Sequence, residues 1–517
     1  MYLFDEVGYL AGGSVIAGAD ADWALCGSSY SVGYSVLLAP LWWLPVEPTT
    51  IYQIAVFLSA ALGAAVMWPA TVLGRMLGAP KWLALGVAGL VTLVPARALM
   101  DNYVLAENLL TFLVVWAAVF AMRIGRGGAT ADHVWFGVVL GLAAAVHSRA
   151  LPLVAVGIVW LLARRWRGAS SAVTSIVATV IAGGAAAIGY VGQNAMGGAL
   201  FADDTRLDDL LGSVQLAAVA TVTLGQVFTQ VVSWSLLTML GGVVVAAHVR
   251  AALAKRGADG LSSAWVWLLT GVAAQAAFFV LILSASAEYG TRLDVPTFGR
   301  YLDPFVVSLA VVGAATMWTR KRPRATRFAF LLSLASVALY AVLIVPSIDP
   351  DARWIPFAIP GLEPFLDPAT GDDRPSLMLA ALAAAIGCVV LYGLRSRPRL
   401  GLPVALIGAV AVTLATDALR VDPFEADVRT RSTILVYLRE TGDAPVALVS
   451  ELLPCAENNK LQFELAGRAT VVSAEAELGD GYVIGPAEWP DAADRGLERI
   501  PLTAWQGAAI WAHAYQP

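Results

Sequence analysis

Two adjacent carboxylates, Asp5 and Glu6, stand near the start of the chain in Leu3-Phe-Asp-Glu-Val-Gly-Tyr9. A paired acid between aromatics, ahead of a long series of apolar segments, offers a general base at a membrane surface. The pair also reads as two solvated charges at an ordered N-terminus. Three other groups complement it. The segment Pro95–Glu107 ends in an acid at the edge of an apolar run, His147 and Arg149 sit between two short apolar segments, and Tyr289–Asp303 contains Arg292, Asp294, Arg300, Tyr301 and Asp303. An arginine fork matches two oxygens of a phosphate. Acid and arginine together beside lipid suit a substrate with a lipid tail and a phosphorylated head. Plainer readings stand beside these. Arg149 could be snorkelling at a helix end, and His147 could be a hydrogen-bonded structural histidine. Glu107 could favour a helix N-terminus, although an acid at a span's edge is costly. Asp5 and Glu6 could hold a divalent cation, but their spacing demands no metal and no cofactor.

Composition sets the environment in which these residues must work. Of 517 residues, 58% are hydrophobic and 14% charged, and the mean hydropathy is +0.72. Soluble domains do not reach such values, so the chain is a polytopic membrane protein. A net charge of −5 without a basic face excludes nucleic acid as a partner. The three cysteines, Cys26, Cys388 and Cys455, form no CxxC motif and so give no zinc or redox signature. No cleavable signal peptide precedes Asp5. Lysine is scarce beside arginine, as in many GC-rich bacterial sequences.

A spanning helix needs roughly 20 apolar residues. Twelve candidates are visible: 51–74, 82–99, 106–122, 132–147, 150–163, 170–191, 226–248, 262–285, 302–318, 327–346, 376–394 and 401–417. The fourth and fifth read as a tight hairpin, and Ser213–Gly225 as a helix lying along the interface. Alternate loops carry the arginines and lysines, which places them inside and Asp5 outside. The opposite loops hold acids, among them Asp101, Asp203, Asp204, Asp208 and Asp209. Residues 1–419 then form the membrane domain, with 1–50 as a first outer loop. Residues 420–517 change character, with short apolar runs at Val446–Val449, Thr470–Val472, Tyr482–Ile484 and Ala508–Trp511, and a helical pattern over Ala426–Glu440. They read as a small outer α/β domain. Cys26 and Cys455 both fall outside, where a disulfide would persist. Two unrelated thiols is the plainer reading.

These stretches carry a resemblance. Phe4-Asp-Glu-x-x-Tyr9, followed by Tyr30-Ser-Val-Gly-Tyr-Ser-Val-Leu-Leu-Ala-Pro40-Leu-Trp-Trp43, resembles the first outer loop of GT-C integral-membrane glycosyltransferases, closest to the protein O-mannosyltransferase-like branch. Ala106-Glu-Asn-Leu-Leu-Thr-Phe112 is similar to the acid-bearing start of that family's fourth helix, and Phe298-Gly-Arg-Tyr-Leu-Asp-Pro304 to the start of a late one. The resemblance spans about 420 residues in order. It implies sugar transfer from a polyprenyl-phosphate carrier to a glycan, lipid or protein acceptor on the outer face of a bacterial plasma membrane, with inversion. Asp5 would be the base, with Glu6 beside it. Arg300 or Arg149 would hold the departing phosphate, and Tyr9, Glu107, His147, Arg292 and Tyr301 would line the donor site. A transmembrane helix usually precedes the acid pair in the family, and Met1 leaves no room for one. The Lys-Pro-Pro of the aminoarabinose-transferase branch is replaced by Cys26-Gly-Ser-Ser-Tyr30. A transporter or flippase of a lipid-linked precursor, or a non-catalytic relative, are the other readings; a transporter should place its charges at mid-membrane.

Overall fold

The computed structural model describes residues 4–27, 30–201, 216–254, 260–286, 292–319, 322–355, 358–366, 372–421, 433–441, 444–476, 478, 481–501 and 507–513. Asp203, Asp204, Asp208, Asp209, Tyr289 and 426–432 lie outside them, as does the 213–215 portion of the expected interfacial helix.

The membrane part is a bundle of apolar helices. Among the described residues ten are long and apolar enough to cross a membrane, or eleven if one bent pair counts as a span. This corrects the expected twelve. The hairpin α8 (Thr130–Val146) and α9 (Leu151–Trp166) has only 17 and 16 residues per arm, short of the roughly 20 that a span needs. The expected 82–99 span is the bent pair, Lys81–Leu93 and Pro95–Asn102, at 62°. Proline at the second start lacks the N–H that would continue the helix.

The expected break before 226 falls instead at Ser235, whose φ is +49°. It separates α11 (Leu216–Trp234) from α12 (Leu237–Ala254). Both helices follow α14 (Gly299–Thr319). Gln226 donates to the Pro296 carbonyl and Trp234 to Asp303, while Gly241 meets Leu309 and Gly313 meets Leu237 further along. A Cβ at either of those two glycines would lie 2.0 Å from a carbonyl oxygen, so small residues set this contact. Helix α14 is the hub: 94% of its apolar window is buried, against 11% for Pro398–Leu419 at the rim.

Among the described residues of the 1–50 segment, most are helical. Helix α1 (Phe4–Ala17) buries Val7, Tyr9, Leu10 and Ala11. It packs on α2 (Val32–Leu38) and a following 3-10 turn, Ala39–Trp43. Glycine permits the approach, since a Cβ on Gly8 would sit 2.2 Å from the Tyr30 ring.

Towards the C-terminus lies a five-stranded sheet of order β2-β1-β3-β5-β4, from Ala469–Val472, Val446–Val449, Tyr482–Pro486, Ala508–His513 and Leu497–Arg499. Strand β1 runs parallel to β2 and β3, and β5 antiparallel to β3 and β4. The pleat sorts alternate residues to opposite faces. Leu448, Ile484 and Ile510 pack against Ile434, Leu435 and Leu438 of the helix Thr433–Glu440 and Leu461 of the helix Cys455–Glu464. Val449, Val483 and Trp511 pack with Trp489 on the other face. Phe463 leaves this unit and joins the membrane core, edge-on to Trp42 and Tyr52.

Candidate active site

The first turn of α1 points its two carboxylates in different directions, as neighbours on a helix must. Asp5 faces α14. Its Oδ2 lies 2.6 Å from Arg300 Nη2, and its Oδ1 accepts from the Tyr30 hydroxyl at 2.9 Å. Burial opposes ionisation of Asp5, but the nearby guanidinium of Arg300, then that of Arg149 and the Tyr30 hydroxyl, hold its carboxyl below the ordinary range. Arg300 Nε lies 3.1 Å from Glu107 Oε1, at the start of α7 (Glu107–Gly125). A single guanidinium therefore joins the N-terminal helix, the central helix and α7. Both Arg300 and Glu107 are almost fully buried.

Arg149 completes the group on the hairpin side. Its guanidinium lies 3.3 Å from the centre of the Tyr301 ring, a cation–π contact. The ordering of the hairpin tip is local: the Arg149 amide donates to His147 Nδ1 at 3.4 Å and the Ser148 amide to Ser31 Oγ at 2.8 Å. Tyr9 is buried with its ring 5.1 Å from Tyr30 and 5.2 Å from Tyr34. Burial and the acids Glu107 and Asp5 push its hydroxyl well above the usual tyrosine value, so Tyr9 remains a donor. A cavity of about 10 Å³ lies between Asp5, Tyr9, Tyr30, Ser31, His147, Ser148 and Arg149, about the room one water needs.

Two of the expected site residues lie elsewhere. Glu6 turns into the core and is fully buried, where its Oε1 accepts from the Tyr52 hydroxyl at 3.0 Å and the Val104 amide at 2.8 Å. It fixes the 94–107 segment from behind and does not line the cavity at Asp5. Arg292 pairs with Asp294, with Nε 3.0 Å from Oδ1. It lines a different cavity of about 610 Å³ with Asp349, Asp351, Arg353 and Trp354.

The structure also gathers Arg97, Asn108, Gln230 and Trp234, which the sequence did not single out, around Asp101 and Asp303, which it did. The buried Arg97 donates to Asn108 Oδ1 at 2.7 Å, and Asn108, the residue after Glu107, in turn donates to Asp101 and to the Ser59 carbonyl. Asp303, one turn beyond Arg300, accepts from Gln230 at 3.0 Å and Trp234 at 3.3 Å. The second oxygens of Asp303 and Glu107 are buried with no hydrogen-bond partner among the described residues. The available signal was an arginine and an asparagine at the edges of apolar runs, where such groups are costly. Trp234 and Pro95 also wall an apolar groove of about 470 Å³ between the helices at 81–93, 374–394 and 398–416. Among the described residues no three of His, Cys, Asp and Glu gather to hold a metal ion.

Two solved structures share this architecture over nearly the whole chain. ArnT from Cupriavidus metallidurans bound to undecaprenyl phosphate superposes with a TM-score of 0.52 at 15% identity, covering 99% of this chain and 94% of that one. ArnT from Cupriavidus metallidurans in the apo state gives 0.51 at 15%, covering 99% and 93%. Neither a protein-family model nor a curated protein sequence matches the chain. This chain is a multi-pass membrane protein that shares the polytopic helical fold of these ArnT structures.

Proposed function

We propose that this chain is a GT-C glycosyltransferase that moves a sugar from a polyprenyl-phosphate carrier to an acceptor hydroxyl of a glycan, lipid or protein at the outer face of a bacterial plasma membrane, inverting the anomeric carbon. The reading rests above all on Arg300, which holds the candidate base Asp5 and the buried Glu107 at once. The apolar groove at Trp234 supports it, since Trp234 bonds Asp303 one turn from Arg300. The prenyl tail would lie in that groove and the phosphate among Arg300, Arg149 and Arg97. The unpartnered oxygens of Glu107 and Asp303 suit sugar hydroxyl donors. ArnT, described as bound to undecaprenyl phosphate, makes such a carrier a natural candidate.

In the transfer the acceptor oxygen attacks the anomeric carbon on the face opposite the phosphate. The new C–O bond forms as the bond to phosphate oxygen breaks, and Asp5 takes the hydroxyl proton. The carrier leaves as a phosphate monoester anion and needs no proton, so one acid–base residue suffices where a glycoside hydrolase uses two. Arginines stabilise the charge that develops on its oxygens. Arg300 links the two halves. An arriving phosphate competes with Asp5 for the guanidinium, and a carboxylate that loses its cation becomes the stronger base.

The experiment is an assay of the purified protein with labelled polyprenyl-phosphate sugars and an acceptor panel, beside the Asp5→Asn variant. Transfer by the wild type and its loss in the variant support the reading. Movement of the intact donor across vesicles without transfer would make the protein a flippase instead.

A further inference from the structure

We propose that Cys26 and Cys455 form a modification site, a disulfide that fastens the C-terminal sheet to the segment leading into Tyr30. This inference does not rest on the transferase reading. Helix Cys455–Glu464 grips the backbone at 24–26 with three carboxamides. Gln462 accepts from the Ala24 amide and donates to the Ala24 carbonyl, both at 2.8 Å. Asn459 accepts from the Cys26 amide at 2.9 Å and donates to its carbonyl at 3.0 Å. Asn458 donates to the Ala24 carbonyl at 3.1 Å. These bonds fix the approach of the two segments without help from sulfur. They bring the Cys455 side chain, at the first residue of the helix, beside Cys26. Asn458 Nδ2 also donates to Cys26 Sγ at 3.5 Å. The third cysteine, Cys388, is buried in the helix Arg374–Leu394.

The arrangement orders the chemistry. The sulfur of Cys26 accepts from Asn458 Nδ2, one turn into the helix that begins at Cys455. Burial, with the contact to Cys26, pushes the Cys455 thiol up to about 12. With Cys455 held as a thiol, Cys26 attacks first, on a sulfur of an oxidising dithiol–disulfide protein, and displaces one of its thiolates. Cys455 gives up its proton, attacks the Cys26 sulfur and displaces the second. The chain loses two hydrogens and the partner's disulfide is reduced to a dithiol. Such a partner belongs to an oxidising compartment, the side on which the basic-loop pattern puts both cysteines. The bond would act on the site through Tyr30, four residues after Cys26, whose hydroxyl holds Asp5.

The test uses the full chain in membranes, blocked with N-ethylmaleimide before lysis and digested without reductant. A peptide pair joined through Cys26 and Cys455 is expected by mass spectrometry, absent from Cys26→Ser and Cys455→Ser and retained in Cys388→Ser. Reductant should lower the unfolding midpoint of the wild type by several degrees and leave that of Cys455→Ser unchanged. Maleimide on both Cys26 and Cys455 in most wild-type molecules would overturn the proposal. So would an equal effect of reductant on the two proteins.

Discussion

Arg300 Nη2 lies 2.6 Å from Asp5 Oδ2, a pair 295 positions apart in the chain, and the same guanidinium lies 3.1 Å from Glu107. One buried cation thus holds two acids that the fold delivers from different helices. Removing it leaves the buried Glu107 without its cation and Asp5 with only the Tyr30 hydroxyl and the more distant Arg149.

For that reason Arg300→Ala is expected to destabilise the protein by about 3–5 kcal/mol, the usual cost of stranding a buried charge. Arg300→Lys should recover part of this, since an ammonium restores the charge without the planar fork. Thermal unfolding in detergent measures both. Arg300→Ala should also weaken donor binding and turnover together.

The Asp5–Arg300 pair has a defined pH signature. The carboxyl of Asp5 is held below its ordinary 3.8, so its contribution to stability is complete above that unfolded value. The contribution is lost as pH falls through the lower folded value. The gap in unfolding midpoint between wild type and Asp5→Asn should therefore be flat from about pH 5 to 8 and shrink below about pH 4. A gap that varies between pH 6 and 8 would contradict the pairing.

Glu6 should behave differently from its neighbour. Tyr52→Phe removes one donor from a fully buried carboxylate and should cost about 1–3 kcal/mol. Glu6→Ala should cost more, because the buried Val104 amide loses its acceptor as well. In transfer assays Glu6→Gln is expected to lose less than Asp5→Asn. Equilibrium unfolding beside initial rates separates the two effects.

Much of this arrangement was legible in the chain, and what was missed has physical causes. Asp5, Glu107, Arg149 and Arg300 stand at the edges of apolar runs, where a charge must find a partner, and the fold brings them together. Glu6 is chemically equal to Asp5 in sequence; only the rotation of α1 separates them. Arg97 and Asn108 meet through the 62° bend after Leu93, a tertiary feature without a local signature. Ser235 is an ordinary residue in an apolar run, so the break there could not be placed. The strands Val446–Val449 and Tyr482–Pro486 were visible as apolar runs. Leu497–Arg499, with one apolar residue in three, was not.

The carboxamide grip on 24–26 should be measurable on its own. Gln462→Ala removes both bonds to Ala24 and Asn459→Ala both bonds to Cys26. Amide exchange at 24–26 should rise about tenfold or more in the double variant, from about 1 kcal/mol per bond lost. Unchanged exchange would mean that Phe463, packed on Trp42 and Tyr52, holds the sheet alone.

The most direct test of the central claim is single-turnover sugar transfer from a labelled polyprenyl-phosphate donor by wild type and Asp5→Asn, with donor binding measured in parallel. The substitution keeps size and most hydrogen bonding and removes the base. Transfer should fall roughly 10²-fold or more, while donor binding, which depends on the arginines and the tail, is retained. An Asp5→Asn protein that transfers at the wild-type rate would contradict the assignment of Asp5 as the base.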